Sequence, residues 1–314
     1  MKTLNNEFST WLHTLGFAKS SVISLPIYTR EMLQWLQNNN ITNVKHIQAS
    51  HIQDFFNHWK NRKNKRTGAG LSQPHINKGI TAINLFIKFL NKTQHNTIQL
   101  QLQRDKQHPK TPTVLSIQEI EQLYQASYNI HKRANTLAYG QRDRAMLAIY
   151  YGCGLRKNEG INLQTTDILL SQKLLLVRNG KGNKQRYVPL AEQSIKDIEE
   201  YLNHGRKWFL QPRQKRQSRH LSSGEQIETN AFFINLKGQP IQSFTARLNI
   251  LKEEANIHQP FTLHTLRHSI ATHLLQKGMD IEQIKKFLGH STLESTQLYT
   301  HVINGVLFKA FEVV

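Results

Sequence analysis

The amino-acid sequence predicts a mainly helical protein of two domains, with one small antiparallel β-sheet in the second domain. The first observation is the length, because 314 residues correspond to about two domains of roughly 150 residues each. The second is the recurrence of apolar residues at spacings of three and four, the period of a helix packed on one face. The third is a single stretch, residues 165–190, in which short strand-like runs alternate with turn residues.

Residues 1–95 are predicted to form a helical domain in which three apolar stripes mark helices. The stripes are Ile27, Met32, Leu33 and Leu36; Ile52, Phe55, Phe56 and Trp59; and Ile76, Ile80, Ile83, Phe86, Ile87 and Leu90. A basic loop with two glycines, residues 61–70, separates the last two helices. The cations in this loop and directly before it are candidates for contacts with a nucleic-acid backbone. The candidates are Lys60, Arg62, Lys63, Lys65 and Arg66.

The segment 96–113 is polar and contains Pro109 and Pro112, so it is predicted to be an interdomain linker. Residues 114–314 form the predicted second domain, which begins with a capping box at residues 116–119 and continues as helices to about residue 164. Strands are predicted at residues 168–170, 174–177 and 186–190, followed by helices to the end. The basic segment 206–230 has no clear period and is predicted to be a surface loop.

The net charge of +20 favours a polyanionic partner. Residues 1–110 carry 15 basic and 4 acidic side chains, and residues 111–314 carry 26 and 17, so the excess is spread over both parts. A nucleic acid matches this distribution, although charge alone leaves DNA, RNA and a merely solubilising surface open. No apolar run approaches the roughly 20 residues of a membrane span, and the single cysteine, Cys153, excludes an intramolecular disulfide. We expect an intracellular, cytoplasmic protein.

Metal and nucleotide motifs are not found in the sequence. His264 and His268 are four residues apart, but the residues between them are Thr265, Leu266 and Arg267, without the glutamate of a zinc protease. The charge of that arginine would oppose a bound cation. We therefore expect neither a metal nor a cofactor.

Six side chains, five basic or imidazole groups and one tyrosine, carry the chemical pattern. They are Arg156, Lys181, His264, Arg267, His290 and Tyr299. The first precedes a predicted short helix with Glu159 three residues on, and the second lies between two glycines of the predicted hairpin turn. His264 and Arg267 are three residues apart and so project from one face of a helix. A second capping box, residues 291–294, opens the helix that carries the tyrosine.

Together these segments resemble the tyrosine recombinase, or phage integrase, family, and within it most of all the short Xer-type members. The matching segments are residues 151–159, 180–190, 264–275 and 288–302. Their order and spacing fit the family, including the nine residues from His290 to Tyr299. The resemblance covers residues 114–302, whereas the N-terminal 95 residues match in size and helical character alone.

The resemblance implies a site-specific DNA recombinase that cuts and rejoins strands through a 3′-phosphotyrosine and exchanges them through a Holliday junction. It assigns Tyr299 as the nucleophile. Arg156 and Arg267 would clamp the scissile phosphate, with His264 and His290 as hydrogen-bonding or proton-handling partners. The implied chemistry needs neither a metal nor ATP.

The resemblance also implies Lys181 as the general acid, with Lys184 as a nearby competitor. The implied architecture is a two-domain clamp on double-stranded DNA, a helical core-binding domain and a catalytic domain, assembled as a tetramer across two DNA sites. A second, related recombinase as partner and association with the nucleoid of a prokaryotic-type cell belong to the same expectation. Apolar residues near the C-terminus could dock on a neighbouring protomer or on their own domain; they are Val306, Leu307, Phe308 and Phe311.

Two alternatives share part of this pattern. A DNA-binding protein that has lost catalysis would share the charge, and a type IB topoisomerase would share the chemistry but act as a monomer on one duplex. The biological task also stays open between chromosome-dimer resolution, integration and excision of a mobile element, and DNA inversion.

Overall fold

The computed structural model describes residues 1–63, 68–105, 112–129, 137–178, 185–211 and 228–289. The chain divides into two compact units, residues 1–109 and 110–314, each with its own hydrophobic core. Both units are mainly helical and the second contains a small antiparallel sheet, which confirms the predicted fold class. Among the described residues, no helix is long and apolar enough to span a membrane.

Four helices are described in the first unit: α1 (Lys2–Thr14), α2 (Lys19–Asn38), α3 (Ala49–Asn61) and α4 (Gln73–Lys92). Their predicted apolar stripes are buried with one exception. Ile27 is 55% exposed and its prediction is wrong, because it lies two residues from buried Leu25 and therefore on the other side of α2. Pro26 lacks the backbone N–H that would bond the carbonyl of Val22, four residues earlier in α2. The Ser9 hydroxyl donates to that carbonyl at 3.3 Å.

The segment predicted as a linker begins differently in the structure. Ile98 and Leu102 are buried in the core of the first unit, and the side-chain amide of Asn84 bonds both the N–H and the carbonyl of Leu102, at 3.0 and 2.9 Å. Ile98 and Leu102 are enough to dock this extended segment on α4, because the amide of Asn84 satisfies the hydrogen bonding of its backbone. The other part of the predicted linker, residues 106–111, lies outside the described residues.

The second unit contains eight described helices around its core. They are α5 (Ile117–Asn129), α6 (Leu137–Leu147), α7 (Lys157–Ile161), α8 (Glu192–Glu200), α9 (Arg206–Leu210), α10 (Thr245–Glu254), α11 (Leu263–Gln276) and α12 (Ile281–Leu288). The predicted capping box at the start of α5 is confirmed. Ser116 N–H donates to the Glu119 carboxylate at 2.7 Å, and Glu119 N–H donates to the Ser116 hydroxyl at 3.1 Å.

The sheet consists of β1 (Ile168–Leu169), β2 (Leu174–Val177) and β3 (Arg186–Pro189), all antiparallel in the order β1-β2-β3. Leu175 faces Ile168 on one side and Val188 on the other, and Leu175 and Val188 are fully buried. The three strands lie where the alternation predicted them. Residues 179–184, between β2 and β3, lie outside the described residues.

Part of the predicted surface loop at 206–230 is helical instead. Arg206 and Lys207 belong to α9, and the Arg206 guanidinium donates to the carbonyls of Thr229 and Ala231 at 2.6 and 2.8 Å. This arginine therefore ties α9 to the chain that returns from the segment. Residues 212–227, with the remaining cations of that prediction, lie outside the described residues. Residues 231–244 form turns and isolated bridges rather than a helix.

Gly79 on α4 packs against the ring of Trp59 on α3, and a Cβ there would lie 2.4 Å from the ring. Gly79→Ala should lower the free energy of unfolding by about 1–3 kcal/mol through overpacking, although alanine is the better helix former. Urea unfolding followed by tryptophan fluorescence measures the change. Gly70→Ala is the matched control, because a Cβ at Gly70 meets no atom within 4 Å. A Gly79→Ala chain as stable as the wild type would contradict this packing.

Candidate active site

Three of the six side chains in the sequence pattern lie in the described part of the second unit. They are Arg156, before α7, and His264 and Arg267, on α11. Lys181, with its competitor Lys184, and His290 and Tyr299 lie outside the described residues. The described part of the site therefore consists of the arginines, His264 and the groups that hold them.

The backbone before α7 is shaped by a π-helical turn, Ala148–Gly152. The chain then passes through Gly154 in the left-handed region, with φ +60°, and a Cβ there would lie 2.8 Å from Leu288. Glycine is needed at this position for both reasons. The turn leads to Arg156, whose extended backbone precedes α7 and whose N–H donates to the Glu159 carboxylate at 2.8 Å.

Glu159 is the centre of the site: its side chain is 3% exposed and three arginines surround it. Arg186 makes two bonds to its carboxylate, at 3.0 and 2.9 Å, and Arg156 donates to it at 2.8 Å. A guanidinium nitrogen of Arg267 lies 3.9 Å from it. Burial alone would raise the pKa of Glu159, but the hydrogen bonds from Arg186 and Arg156 outweigh burial and lower the pKa to about 2.

Arg267 reaches the same place from α11, where the Thr262 side chain caps the first turn. It is buried, 3% exposed, and donates to the carbonyls of Gly154 and Leu288. Both carbonyls belong to backbone that turns sharply at a glycine. The guanidinium is therefore held by backbone as well as by charge, which restricts its orientation.

The same arginines bond the C-terminal end of α12. That helix ends at Gly289, which is left-handed with φ +66°. Arg267 donates to Leu288 O at 2.8 Å and Arg156 donates to Gly289 O at 2.8 Å. The last carbonyls of a helix lack partners within it and attract cations. The arginines therefore hold the backbone as far as Gly289, and the next residue, His290, lies outside the described residues.

The cluster holds an excess of positive charge, because three guanidinium groups surround one carboxylate. Arg156 is the most accessible of the three arginines, with a side chain 24% exposed against 13% for Arg186 and 4% for Arg267. Guanidinium forks bind the two oxygens of a phosphate diester with fixed geometry. The arrangement is suited to hold one anion at a cationic, partly water-excluded surface.

The three histidines of α11, His264, His268 and His273, favour the neutral form, and burial is the largest cause in each case. Burial, and next the charges of Arg267 and Arg156, lower the pKa of His264. Burial and the neighbouring His264 lower the pKa of His268 to about 4. A neutral imidazole donates one hydrogen bond and accepts another. Within the described residues, no group of three or more histidine, cysteine or acidic side chains could hold a metal ion.

The predicted basic loop of the first unit is described in part, since Lys65 and Arg66 lie outside the described residues. Arg62 is paired with Glu31 and lies over the Trp59 ring, 5.9 Å from its centroid. Lys60 lies 3.7 Å from Asp105. Lys63 is exposed and its backbone forms an isolated bridge with Gly70 that closes the loop.

Arg186 is not among the site residues predicted from the sequence, and Glu159 was noted only as lying three residues after Arg156. One signal for Arg186 was available. In β3 it lies two residues before Val188, which is fully buried, so both side chains lie on the inward face of the strand. A buried arginine requires a carboxylate partner.

The sequence is similar to that of known proteins. Residues 113–304 match the phage integrase family. Tyrosine recombinase XerD of Halalkalibacterium halodurans is 30% identical over 314 residues, covering 96% of this chain and 95% of the relative. Tyrosine recombinase XerC of Bacillus subtilis is 35% identical over 243 residues, covering 76% and 73%.

Two solved structures share the fold. XerH site-specific recombinase bound to difH substrate, a pre-cleavage complex, has a TM-score of 0.65 and 22% identity, covering 90% of this chain and 75% of that chain. A lambda integrase dimer bound to a COC′ core site has a TM-score of 0.64 and 14% identity, covering 100% and 99%.

Glu159→Gln should lower the free energy of unfolding by about 3–5 kcal/mol at pH 7, because it leaves buried arginines without their counter-ion. The pKa of Glu159 is lowered by folding, from an ordinary value of 4.5 to about 2. The stabilisation is therefore complete above the ordinary value and is lost as the pH falls towards 2. Urea unfolding at a series of pH values measures both effects.

Exposed Glu254 on α10 supplies the control, and Glu254→Gln should leave stability unchanged at every pH. If the deficit of Glu159→Gln were the same at pH 3 as at pH 7, the carboxylate would not be the group that holds the arginines.

Proposed function

The chain belongs to the phage integrase family, and from that premise we propose that Arg156 and Arg267 hold the scissile phosphate of a DNA strand while Tyr299 attacks it. Membership of the family makes the chain a tyrosine-type site-specific recombinase, an enzyme that cleaves and rejoins DNA strands. The observation that carries the proposed roles is the convergence of both arginines on buried Glu159, with His264 on the same helix as Arg267.

Charge is the main obstacle in this reaction. A phosphodiester is an anion that repels nucleophiles, and negative charge builds on its non-bridging oxygens as the attack proceeds. Two guanidinium groups already oriented by Glu159 and by the carbonyls of Gly154, Leu288 and Gly289 stabilise that charge without reorganising. His264, neutral because its pKa is lowered, is suited to donate a further hydrogen bond to a phosphate oxygen.

The proposed step exchanges one phosphate ester for another. The Tyr299 oxygen bonds to phosphorus, the bond from phosphorus to the 5′ oxygen breaks, and Lys181 gives that oxygen a proton. A 3′-phosphotyrosine and a free 5′-hydroxyl result. A 5′-hydroxyl from a second duplex can reverse the step with new connectivity, so no ATP is consumed. Tyrosine has an ordinary pKa near 10, and on this proposal the positive charge at the phosphate favours loss of the phenol proton to water as the oxygen attacks.

Double-stranded DNA is the proposed partner of both units. The net charge of +20 supports it, and XerH and lambda integrase were both solved with DNA. We propose residues 1–95 as a core-binding domain, 96–113 as the connection and 114–314 as the catalytic domain, which together enclose the duplex. Exchange between two duplexes calls for four protomers, either identical or paired with a second recombinase, acting at the nucleoid.

Tyr299→Phe should bind DNA with the affinity of the wild type and form no covalent adduct, because it lacks the attacking oxygen. The measurement uses a pool of nicked duplexes that trap the 3′ intermediate, followed by denaturation and detection of protein-linked DNA. Sequencing the trapped strands gives the target site.

Tyr187→Phe is the matched control, since Tyr187 on β3 is 59% exposed and has no role in the proposed step. An adduct formed by Tyr299→Phe would rule out this nucleophile. A wild-type chain that binds without forming an adduct would instead favour a DNA-binding protein that has lost catalysis.

Binding should weaken steeply with salt, because phosphate contacts release counterions. Lys63→Ala should reduce the slope of log affinity against log salt by about 1 if Lys63 contacts a phosphate. Fluorescence anisotropy with a labelled duplex at several salt concentrations measures the slope. Lys63→Arg keeps the charge and should keep the slope, whereas an unchanged slope in Lys63→Ala would remove the loop from the interface.

A further inference from the structure

Arg186, the first residue of β3, joins three elements of the second unit. Its two terminal nitrogens bond the two oxygens of Glu159 at 3.0 and 2.9 Å. Its Nε donates to Phe287 O, near the end of α12, at 3.4 Å. The side chain is 13% exposed. Strand β3, helix α7 and helix α12 therefore meet at one guanidinium.

Gly289 provides a second, independent contact with the same side chain. A Cβ on Gly289 would lie 2.9 Å from both Cδ and Nε of Arg186. The Arg186 side chain thus lies directly against the backbone at the end of α12, in space that any side chain at position 289 would fill. The Gly289 carbonyl is in turn held by Arg156 at 2.8 Å.

We propose that Arg186 is a positioning residue for cleavage, a role that rests on the proposed function of Arg156 and Arg267. Its paired bonds to Glu159 leave that carboxylate less able to draw the other two guanidinium groups inward. It also seats the end of α12, whose carbonyls orient those groups. Arg186 is a positioning residue and not a catalytic one, because the proposal gives it no contact with the phosphate: its nitrogens bond Glu159 and the carbonyl of Phe287.

Loss of Arg186 has a specific consequence on this account. One carboxylate would remain for two arginines, and each would pair with it more closely. Their forks would turn away from the non-bridging oxygens, and the charge available to the phosphate would fall. Neutralisation of the phosphate would suffer, while protonation of the leaving oxygen and general affinity for DNA would not.

The test compares two linkages at the target site recovered by trapping. One is the ordinary phosphodiester. The other is a methylphosphonate, which has the same connectivity but no negative charge and so gains little from an oriented arginine clamp. Single-turnover strand cleavage by the full chain is measured for the wild type, Arg186→Gln and Arg186→Lys, together with the affinity for each duplex.

Arg186→Gln should cleave the phosphodiester roughly 100-fold more slowly than the wild type, as expected for misplaced reacting groups. Its affinity for DNA should be unchanged, and its deficit should shrink severalfold on the methylphosphonate. Arg186→Lys guards against a folding defect, because it keeps the charge. It should show the same dependence on linkage, since an ammonium group lacks the planar fork that bonds both oxygens.

Arg178→Gln is the matched control. Arg178 follows β2 as Arg186 begins β3, and it is paired with the buried carboxylate of Asp167. Its loss should slow cleavage of both linkages equally or not at all.

Four results would overturn the inference. An undiminished phosphodiester rate, or equal deficits on both linkages, would leave Arg186 with a structural role alone. A deficit that disappears when the 5′ leaving oxygen is replaced by sulfur, which needs no protonation, would place Arg186 with the general acid instead. A wild-type chain that cleaves neither linkage would overturn the proposed function itself, and the inference with it.

Discussion

The ion cluster around Glu159 is the interaction on which the rest of the site depends. A carboxylate buried to this degree is strongly disfavoured unless cations and donors surround it. Here the cations lie just before α7, on α11 and on β3, so burying one charge fixes three separate elements. The same guanidinium groups bond the end of α12. On the proposed function, stability and phosphate recognition share one set of contacts.

Glycine backbone makes this cluster geometrically feasible. Gly154 and Gly289 are both left-handed, with φ +60° and +66°, and neither has room for a Cβ, which would meet the Leu288 side chain at Gly154 and the Arg186 side chain at Gly289. The turns they permit direct carbonyl oxygens towards arginines. The π-helical turn before Gly154, Ala148–Gly152, belongs to a class of irregularities frequent at functional sites.

The sequence predicted those features that local pattern determines. Helical spacing located the core-facing residues of α3 and α4, and short strand-like runs between turn residues located β2 and β3. Arg156 and Glu159 could be paired from their spacing alone. Contacts between distant segments could not be predicted in this way, because nothing in residues 185–190 specifies that Arg186 meets Glu159. For the same reason Ile98 was predicted to lie in a linker, although it docks on α4. Arg206 was predicted to lie in a loop, although it bonds the carbonyls of Thr229 and Ala231.

The central claim is that Glu159 holds Arg156 and Arg267 in the orientation that binds one phosphodiester. The most direct measurement is a crystal structure of the Tyr299→Phe chain on a duplex carrying its target site. We expect both guanidinium groups within hydrogen-bond distance of the non-bridging oxygens of a single phosphate, with the bonds from Arg156 and Arg186 to Glu159 retained. Arginines that contact different phosphates, or that leave Glu159 when DNA binds, would contradict the account.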